Sequence, residues 1–490
     1  MATTHWFAGA SVIAVFMALQ KLCALLQQVM IGRQWGVGER TDAFFVAQII
    51  PLLLGGQLCA SVTSALVASS DGRGPLECGR TAAASVGILG CVTALAAALG
   101  LGSEAAVHVL AGGLSSRAQI DCVHLMVLML PLLPLQACSA ILTAQALASS
   151  RFLRAAVAGW CVPLGGAVGA LVSGHVGFDA VVLGTVGGAG CQLVLLLLSL
   201  RYVKPIRPVW ETQYCLGVIK RGLAIFLSLS VGNGYVLVDR WMAGRGSPGE
   251  VAAVAFACNV VSVPGSLIVT AISNAVLPTL TRSRDVINEF SSHGVMALKL
   301  SLCLWIPSAM AFVLAKPLIL AVLFSRHTSA TAGPTAALLT MYLPAFLGLC
   351  VRDTFAMIAV AMDRAGQAAQ IGIAGVLLSL LTKVFVLHPF SLGRCAMITG
   401  CFSLAVALAT AVAVGRGGGL KWRKGPVWTL KLSVVSALAV GIGIVATPVI
   451  GGGPSVALPF VAAFLVFCVG CAVTGILPLR HLLAKVCLGA

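Results

Sequence analysis

The sequence contains very little charge and very few acidic residues. Charged residues make up 9% of the 490-residue chain, and Asp and Glu together number only 14, whereas about a quarter of a typical soluble domain is charged. A soluble protein of this length needs a charged surface, and a mean hydropathy of +1.04 leaves too little of it. The composition therefore excludes a set of soluble domains and predicts an all-α polytopic membrane protein.

Several kinds of functional motif are also missing. The sequence has no RNP-like motif, no zinc-finger spacing and no basic helix with interleaved aromatic residues, so the net charge of +17 does not indicate nucleic acid. The Lys and Arg residues lie in short loops between apolar runs, where they set membrane topology and meet anionic headgroups. Catalytic triads and metal-ligand spacings are absent as well. We therefore predict no nucleic-acid partner, no enzyme activity and no cofactor, with a coupling cation (Na⁺ or H⁺) as the one open candidate.

Fourteen apolar runs are long enough to cross about 30 Å of hydrocarbon. The two halves of the chain echo each other weakly: the segments ending at Arg151 and Arg364 are similar and lie 213 residues apart. The predicted architecture is two six-helix lobes in parallel pseudo-repeat around a central cavity, followed by two further helices. The predicted boundaries are 1–205 for the N-terminal lobe, 206–415 for the C-terminal lobe, and 416–490 for the additional helices, at 428–449 and 455–476, and a short cytoplasmic tail.

The distribution of basic residues predicts the orientation in the membrane. Loops after even-numbered spans carry most of the Lys and Arg, and the longest basic loop runs from Arg201 to Arg221. The positive-inside bias then places these loops and both termini in the cytoplasm. The first apolar run starts too close to Met1 for a charged leader segment, so we expect a retained helix there.

The first span carries a stripe of polar side chains. Gln20 and Gln27 are seven residues apart, as are Lys21 and Gln28, so all four lie on one side of the helix. The stripe predicts a water-filled cavity in which Lys21 is a cationic handle for an anionic substrate. The alternative is that these groups snorkel, or form hydrogen bonds in packing against the second span.

Other spans contain fewer polar groups. Gln57 follows a Gly pair in span two, where helix packing is the simpler interpretation, and Asn259 lies in span eight. Asp239 and Arg240 end span seven, either as an interfacial pair or as a functional group. Arg352 and Asp353 form the most buried charge pair that the sequence predicts, and Lys383, near a helix end, is expected to snorkel.

One stretch of sequence resembles a known family. Residues 32–47, Gly-Arg-Gln-Trp-Gly-Val-Gly-Glu-Arg-Thr-Asp-Ala-Phe-Phe-Val-Ala, followed by Pro51, are similar to the signature of the MurJ/MviN family. This family comprises flippases for lipid-linked peptidoglycan precursors, in the superfamily that also includes multidrug exporters. Smaller similarities lie at Val238–Arg240, Val263–Pro264, Val276–Pro278, and at Arg352 with Ala361–Asp363.

The resemblance implies a cationic substrate path, which this sequence has in reduced form. Lipid II flippases of the family carry two arginines in span one, an Arg pair and a Glu in span two, and Asp-Arg in span eight. The matching positions here are Lys21 and Gln27, then Gly55–Gly56 and Ala60, then Cys258–Asn259. We place the predicted substrate path at Lys21, Gln27, Gln28, Asp42, Gln57, Asn259 and Arg352.

The resemblance also implies an ion site. Some relatives hold a sodium ion between spans seven and eleven, and Asp239, Asp363 and Ser379 match its ligands. Ala359 replaces an amide expected there.

The expected function is that of a flippase in the bacterial cytoplasmic membrane. Its substrate would be a polyprenyl-pyrophosphate-linked saccharide, with lipid II as the default. Three alternatives stay open: an exopolysaccharide repeat-unit flippase, a MATE-like cation-coupled exporter, and a scaffold in glycan assembly that has lost transport. The expected partners are the lipid-linked saccharide, membrane lipids and proteins of cell-wall or polysaccharide synthesis.

Overall fold

The computed structural model describes residues 2–69, 75–148, 152–200, 208–282, 286–324, 329–362, 364–386 and 391–416. These residues form sixteen α-helices and one π-helical stretch, Ile49–Leu54, and no strand. The helices are α1 Ala2–Trp35, α2 Glu39–Ala47, α3 Gly55–Ser69, α4 Pro75–Leu101, α5 Ser103–Ala111, α6 Ser116–Met129, α7 Leu132–Ala148, α8 Phe152–Val176, α9 Phe178–Leu200, α10 Thr212–Ala243, α11 Glu250–Arg282, α12 Ile287–Leu323, α13 Ser329–Met341, α14 Leu343–Ala361, α15 Ala365–Val386 and α16 Leu392–Arg416.

The predicted all-α membrane fold is confirmed. Within the described residues, 12 helical stretches are long and apolar enough to cross a membrane, and they coincide with the first twelve predicted spans. The two further spans, at 428–449 and 455–476, lie outside the described residues.

Three of the spans are each built from two helices. Span two consists of α2, the π-helical stretch around Pro51, and α3; span four is α6 and α7; span ten is α13 and α14. The breaks fall beside Pro51, Pro131 and Pro344, where the missing backbone N–H interrupts the helical hydrogen-bond ladder. Pro131 and Pro344 are 213 residues apart, the same separation as Arg151 and Arg364, which supports the predicted repeat.

Packing is concentrated within two groups of helices. In the N-terminal half (α1–α9), α8 packs on both α1 and α9, and α7 packs on α3 and α9. In the C-terminal half (α10–α16), α14 packs on α11 and α16, and α15 packs on α10 and α16. Contacts between the halves run from α1 to α11 and α12, from α2 to α11, and from α3 and α4 to α10. Helix α1 therefore lies on the boundary between the halves.

Candidate substrate path and charged clusters

The glutamines of α1 pack against glycines of α8. Gln20 lies so close to Gly159 that a Cβ atom on this glycine would be 2.7 Å from the glutamine amide. Gln27 lies equally close to Gly166, where the corresponding distance is 2.8 Å. Two helical turns further along α1, Gln34 accepts a hydrogen bond of 2.5 Å from the Ser173 hydroxyl on α8. This side of the stripe thus packs against α8 and not against the second span.

Lys21 and Gln28 lie on the adjacent side of α1 and are less well satisfied. Lys21 is half-buried, and within the described residues it forms no hydrogen bond or ion pair. Gln28 is 8% exposed, and its side-chain oxygen has no hydrogen-bond partner among the same residues. Both belong to the helix that also contacts α11 and α12 of the other half.

Of the other predicted path residues, Asn259 lies near the boundary between the halves and Gln57 lies on α3. Asn259 is half-buried on α11, and its amide oxygen accepts a hydrogen bond of 3.3 Å from Arg240. The Arg240 guanidinium is itself buried and lies 5.8 Å from the ring centroid of Phe45 on α2, a distance at which cation–π attraction operates. Gln57 is half-buried on α3, beside Gly55, which packs against Gln136 of α7.

Arg352 holds two helices of the C-terminal half together. Its side chain is 1% exposed and donates to the backbone carbonyl of Ser228 on α10 at 2.5 Å and to Asp353 at 2.6 Å. Asp353 is 39% exposed, whereas Lys383 and Asp239 form an ion pair that is fully buried. The prediction that Arg352 and Asp353 form the most buried charge pair is therefore wrong. All of the contacts described for the Arg352 guanidinium lie within the C-terminal half.

Asp42 links the two halves. It is fully buried on α2, and its two carboxylate oxygens accept hydrogen bonds from the backbone N–H groups of Gly249 at 2.5 Å and Ala252 at 2.7 Å. These groups lie at the start of α11, where unpaired N–H groups and the helix dipole favour a negative charge. Gly249 has a φ of 93°, a left-handed conformation that glycine adopts without a Cβ penalty. In this conformation Asp42 caps a helix of the opposite half.

Other contacts extend this junction, which we call the Asp42 seam: Asp42 with Gly249 and Ala252, Val109 with Trp241, and Phe45 with Phe256. The indole N–H of Trp241 donates to the backbone carbonyl of Val109 at 2.9 Å. The rings of Phe45 and Phe256 meet edge to face with centroids 5.0 Å apart. The seam thus combines a buried charge, a polar link and an aromatic contact.

A second junction lies at the other end of the spans, where the basic loops are. Arg80 and Glu211 form an ion pair at 2.5 Å, and the hydroxyls of Thr81 and Tyr214 are hydrogen-bonded at 3.0 Å. The Arg80–Glu211 pair is 30% and 43% exposed, unlike Asp42. We call this junction the Arg80 seam. The halves therefore touch at both ends.

A buried cluster lies within the C-terminal half and consists of Asp239, Tyr342, Lys383 and Thr399, which we call the Asp239 cluster. The ammonium group of Lys383 is paired with Asp239, and both side chains are fully buried. Thr399 accepts from Lys383 at 2.6 Å and donates to Asp239 at 2.8–2.9 Å, and the Tyr342 hydroxyl donates to Asp239 at 2.8 Å. The prediction that Lys383 snorkels is wrong, because a buried carboxylate holds it inside.

The cluster does not fit the sodium site that the family resemblance implies. Ser379 lies one helical turn before Lys383, is buried, and has no hydrogen-bond partner among the described residues. Asp363 lies outside the residues that the structure describes. Lys383, which sequence reasoning assigned to the interface, already neutralises Asp239. No group of three or more metal-ligating His, Cys, Asp or Glu side chains occurs in the described part of the chain.

Comparisons with known proteins agree with this architecture. The family model described as "Lipid II flippase MurJ" matches residues 31–462. Among solved structures, the chain is similar to a lipid II flippase MurJ in an inward closed conformation, with a TM-score of 0.79, 16% identity, and coverage of 94% of this chain and 98% of that one. A search of curated proteins finds no match.

More distant structural neighbours share the fold. An inward-facing multidrug resistance MATE family transporter of the MOP superfamily has a TM-score of 0.67 and 12% identity, with 84% of this chain and 98% of that one covered. A MOP superfamily transporter from Pyrococcus furiosus has a TM-score of 0.63 and 12% identity, with 84% and 95% covered.

Proposed function

Since this chain belongs to the family of the lipid II flippase MurJ, and is thus a multi-pass membrane transporter and not an enzyme, we propose the following cargo and mechanism. It carries a polyprenyl-pyrophosphate-linked saccharide, with lipid II as the first choice, across the bacterial cytoplasmic membrane. The two halves alternate between opening to one side and to the other.

The proposal rests on Lys21, a lysine inside a membrane span that has no carboxylate partner among the described residues. A Lys at the centre of a membrane span costs about 2.5–3.5 kcal/mol on insertion scales unless something compensates for it. Among the described residues no carboxylate pairs with Lys21, and the helix that carries it contacts both halves. A pyrophosphate supplies anionic oxygens that an ammonium group and the Gln28 amide can bind by charge-assisted hydrogen bonds. We assign these two side chains to the phosphate-binding part of the path.

The remaining predicted path residues have different places in this proposal. Asn259 lies beside Arg240 at the boundary and can contribute an amide once the halves move. Gln27 supports α1 through its contact with α8. Asp42 acts on the path by holding one end closed, and Arg352 by holding α10 to α14.

The two seams are the proposed gates. We assign the Asp42 seam to the outer face and the Arg80 seam to the cytoplasmic face, because the more basic loops lie at the Arg80 end. Loading from the cytoplasm requires the Arg80 seam to open while the Asp42 seam stays closed. Release requires the reverse. The exposed ion pair at the Arg80 seam contributes little to stability, which suits a contact that opens readily.

Complementation tests this proposal. We would express the chain in bacteria depleted of their own lipid II flippase and compare wild type with Lys21→Ala, Lys21→Arg and Lys220→Ala. Wild type and Lys21→Arg are expected to restore growth, since both keep a cation, and Lys21→Ala is expected to lose most of the rescue. Lys220 is an exposed lysine on α10, so its removal is the matched control and should have no effect.

Two results would contradict the proposal. Absence of rescue by wild-type protein that is present in the membrane would point to another lipid-linked glycan or to a scaffold. Full rescue by Lys21→Ala would remove Lys21 from the substrate path.

A further inference from the structure

The Asp239 cluster has the chemistry of a cation site. A carboxylate and the hydroxyl of Thr399 converge from α10 and α16, with the Tyr342 hydroxyl joining from the start of α14. The orphaned hydroxyl of Ser379 lies one turn before Lys383 on α15. Oxygen ligands of this kind suit hard cations. A buried carboxylate also requires a positive partner, because an unpaired charge in a low-dielectric interior is strongly unfavourable.

The protein supplies that positive partner itself. The Lys383 ammonium group contacts Asp239 directly and donates to Thr399 at 2.6 Å, and both charged side chains are fully buried. A metal cation in the same place would lie next to an ammonium of the same sign, with the carboxylate already neutralised. We infer that Lys383 is a resident, tethered cation that takes the place of an exchangeable monovalent ion in the Asp239 cluster.

A tethered cation has a consequence for energy coupling. An exchangeable ion can bind from one side of the membrane and leave to the other, and thereby drive a cycle. An ammonium group covalently attached to α15 cannot do so. The Asp239 cluster therefore holds α10, α14, α15 and α16 together without Na⁺, and it does not couple transport to a sodium gradient. This inference concerns the C-terminal half and goes beyond the proposed substrate.

Thermal unfolding of the purified full chain tests the inference without a transport assay, so its outcome is separable from that of the flippase proposal. The melting temperature would be measured in equimolar NaCl, KCl and choline chloride. The wild type should melt at the same temperature in all three. Lys383→Asn removes the ammonium and adds an amide oxygen, so it should melt lower in choline and recover saturably as Na⁺ is added.

A charge-neutral double variant is the matched control. Asp239→Asn with Lys383→Asn lacks the buried carboxylate, so it should show no Na⁺ response even where its stability is reduced. If Lys383→Asn can be purified folded only when NaCl is present, the same conclusion follows.

Three outcomes would overturn the inference. The first is a saturable rise of the wild-type melting temperature with Na⁺. The second is a folded Lys383→Asn protein with the same melting temperature in all salts. The third is a Lys383→Asn protein that is unfolded in every salt while the double variant folds, because a free cation then cannot replace the ammonium group.

Discussion

At the scale of single residues, Asp42 has the most specific set of partners across the boundary between the halves. Its two oxygens satisfy two backbone N–H groups that the first turn of α11 cannot pair internally. The side chain is fully buried, so water cannot easily take its place. A single short side chain thereby fixes the position of a helix in the other half.

Removing this carboxylate should weaken the folded protein. Asp42→Ala leaves both N–H groups without an acceptor. Each buried donor left unpaired costs roughly 1–3 kcal/mol of folding free energy. Asp42→Asn keeps one amide oxygen, and we expect an intermediate loss. Melting temperatures of the purified variants would measure this order.

Glu39 provides the matched control for Asp42. It lies on the same helix and also accepts a backbone hydrogen bond, from Ser115 at 3.0 Å, but at an exposed site. Glu39→Ala should therefore melt close to wild type. Equal effects of Glu39→Ala and Asp42→Ala would show that the burial of Asp42 is not what makes it important.

A residue pattern within a single helix is readable from the sequence, whereas a side-chain partner on a distant helix is not. The stripe on α1 follows from helical periodicity alone. That Lys383 meets Asp239 does not, because the two are 144 positions apart and each looks like a residue near a helix end. The sequence does contain a signal, because three apolar spans carry an acid, a Lys and a Thr, namely Asp239, Lys383 and Thr399. Ser379 lies one helical turn from the Lys. Pairing them requires knowing that α10, α15 and α16 are neighbours.

At the scale of secondary-structure elements, glycines decide how closely helices approach. Gly165 and Gly169 of α8 face Gly184 and Gly188 of α9 so tightly that a Cβ on any of the four would overlap the backbone of the other helix. Such small-residue contacts let membrane helices pack closely. A glycine cluster inside an apolar span, such as the one at 184–190, indicates helix packing, in agreement with the structure. The sequence could not tell which of these glycines are at the contact.

The neighbouring glycines Gly187 and Gly188 provide a matched pair of tests. A Cβ on Gly188 would overlap the carbonyl oxygen of Cys161, whereas a Cβ on Gly187 meets nothing within 4 Å. Both changes to alanine gain about 1 kcal/mol of helix propensity. We therefore expect Gly188→Ala to lower the melting temperature clearly, and Gly187→Ala to leave it unchanged or raise it slightly. Equal melting temperatures for the two variants would contradict this account of the α8–α9 contact.

At the scale of the whole molecule, the two halves are joined at both ends by contacts of different kinds. The Asp42 seam contains a buried carboxylate and a buried contact between two aromatic rings, whereas the Arg80 seam relies on partly exposed polar groups. The sequence predicted two lobes from an echo with a separation of 213 residues. The seams were not predictable, because they depend on how helices of opposite halves meet.

In the proposed alternating-access cycle the Asp42 seam separates once per turnover, so cross-linking across it should stop transport. We would place cysteines at Val109 and Trp241, which meet between α5 and α10, in a variant whose 17 native cysteines are replaced. In the complementation strain, a short cleavable thiol cross-linker added outside the cells should stop growth, and a reductant should restore it. The matched pair Glu39→Cys with Ser115→Cys lies at the same end but within the N-terminal half, so bridging it should be harmless. Continued growth with the Val109–Trp241 pair fully cross-linked would mean that this seam does not open, and would overturn its assignment as a gate.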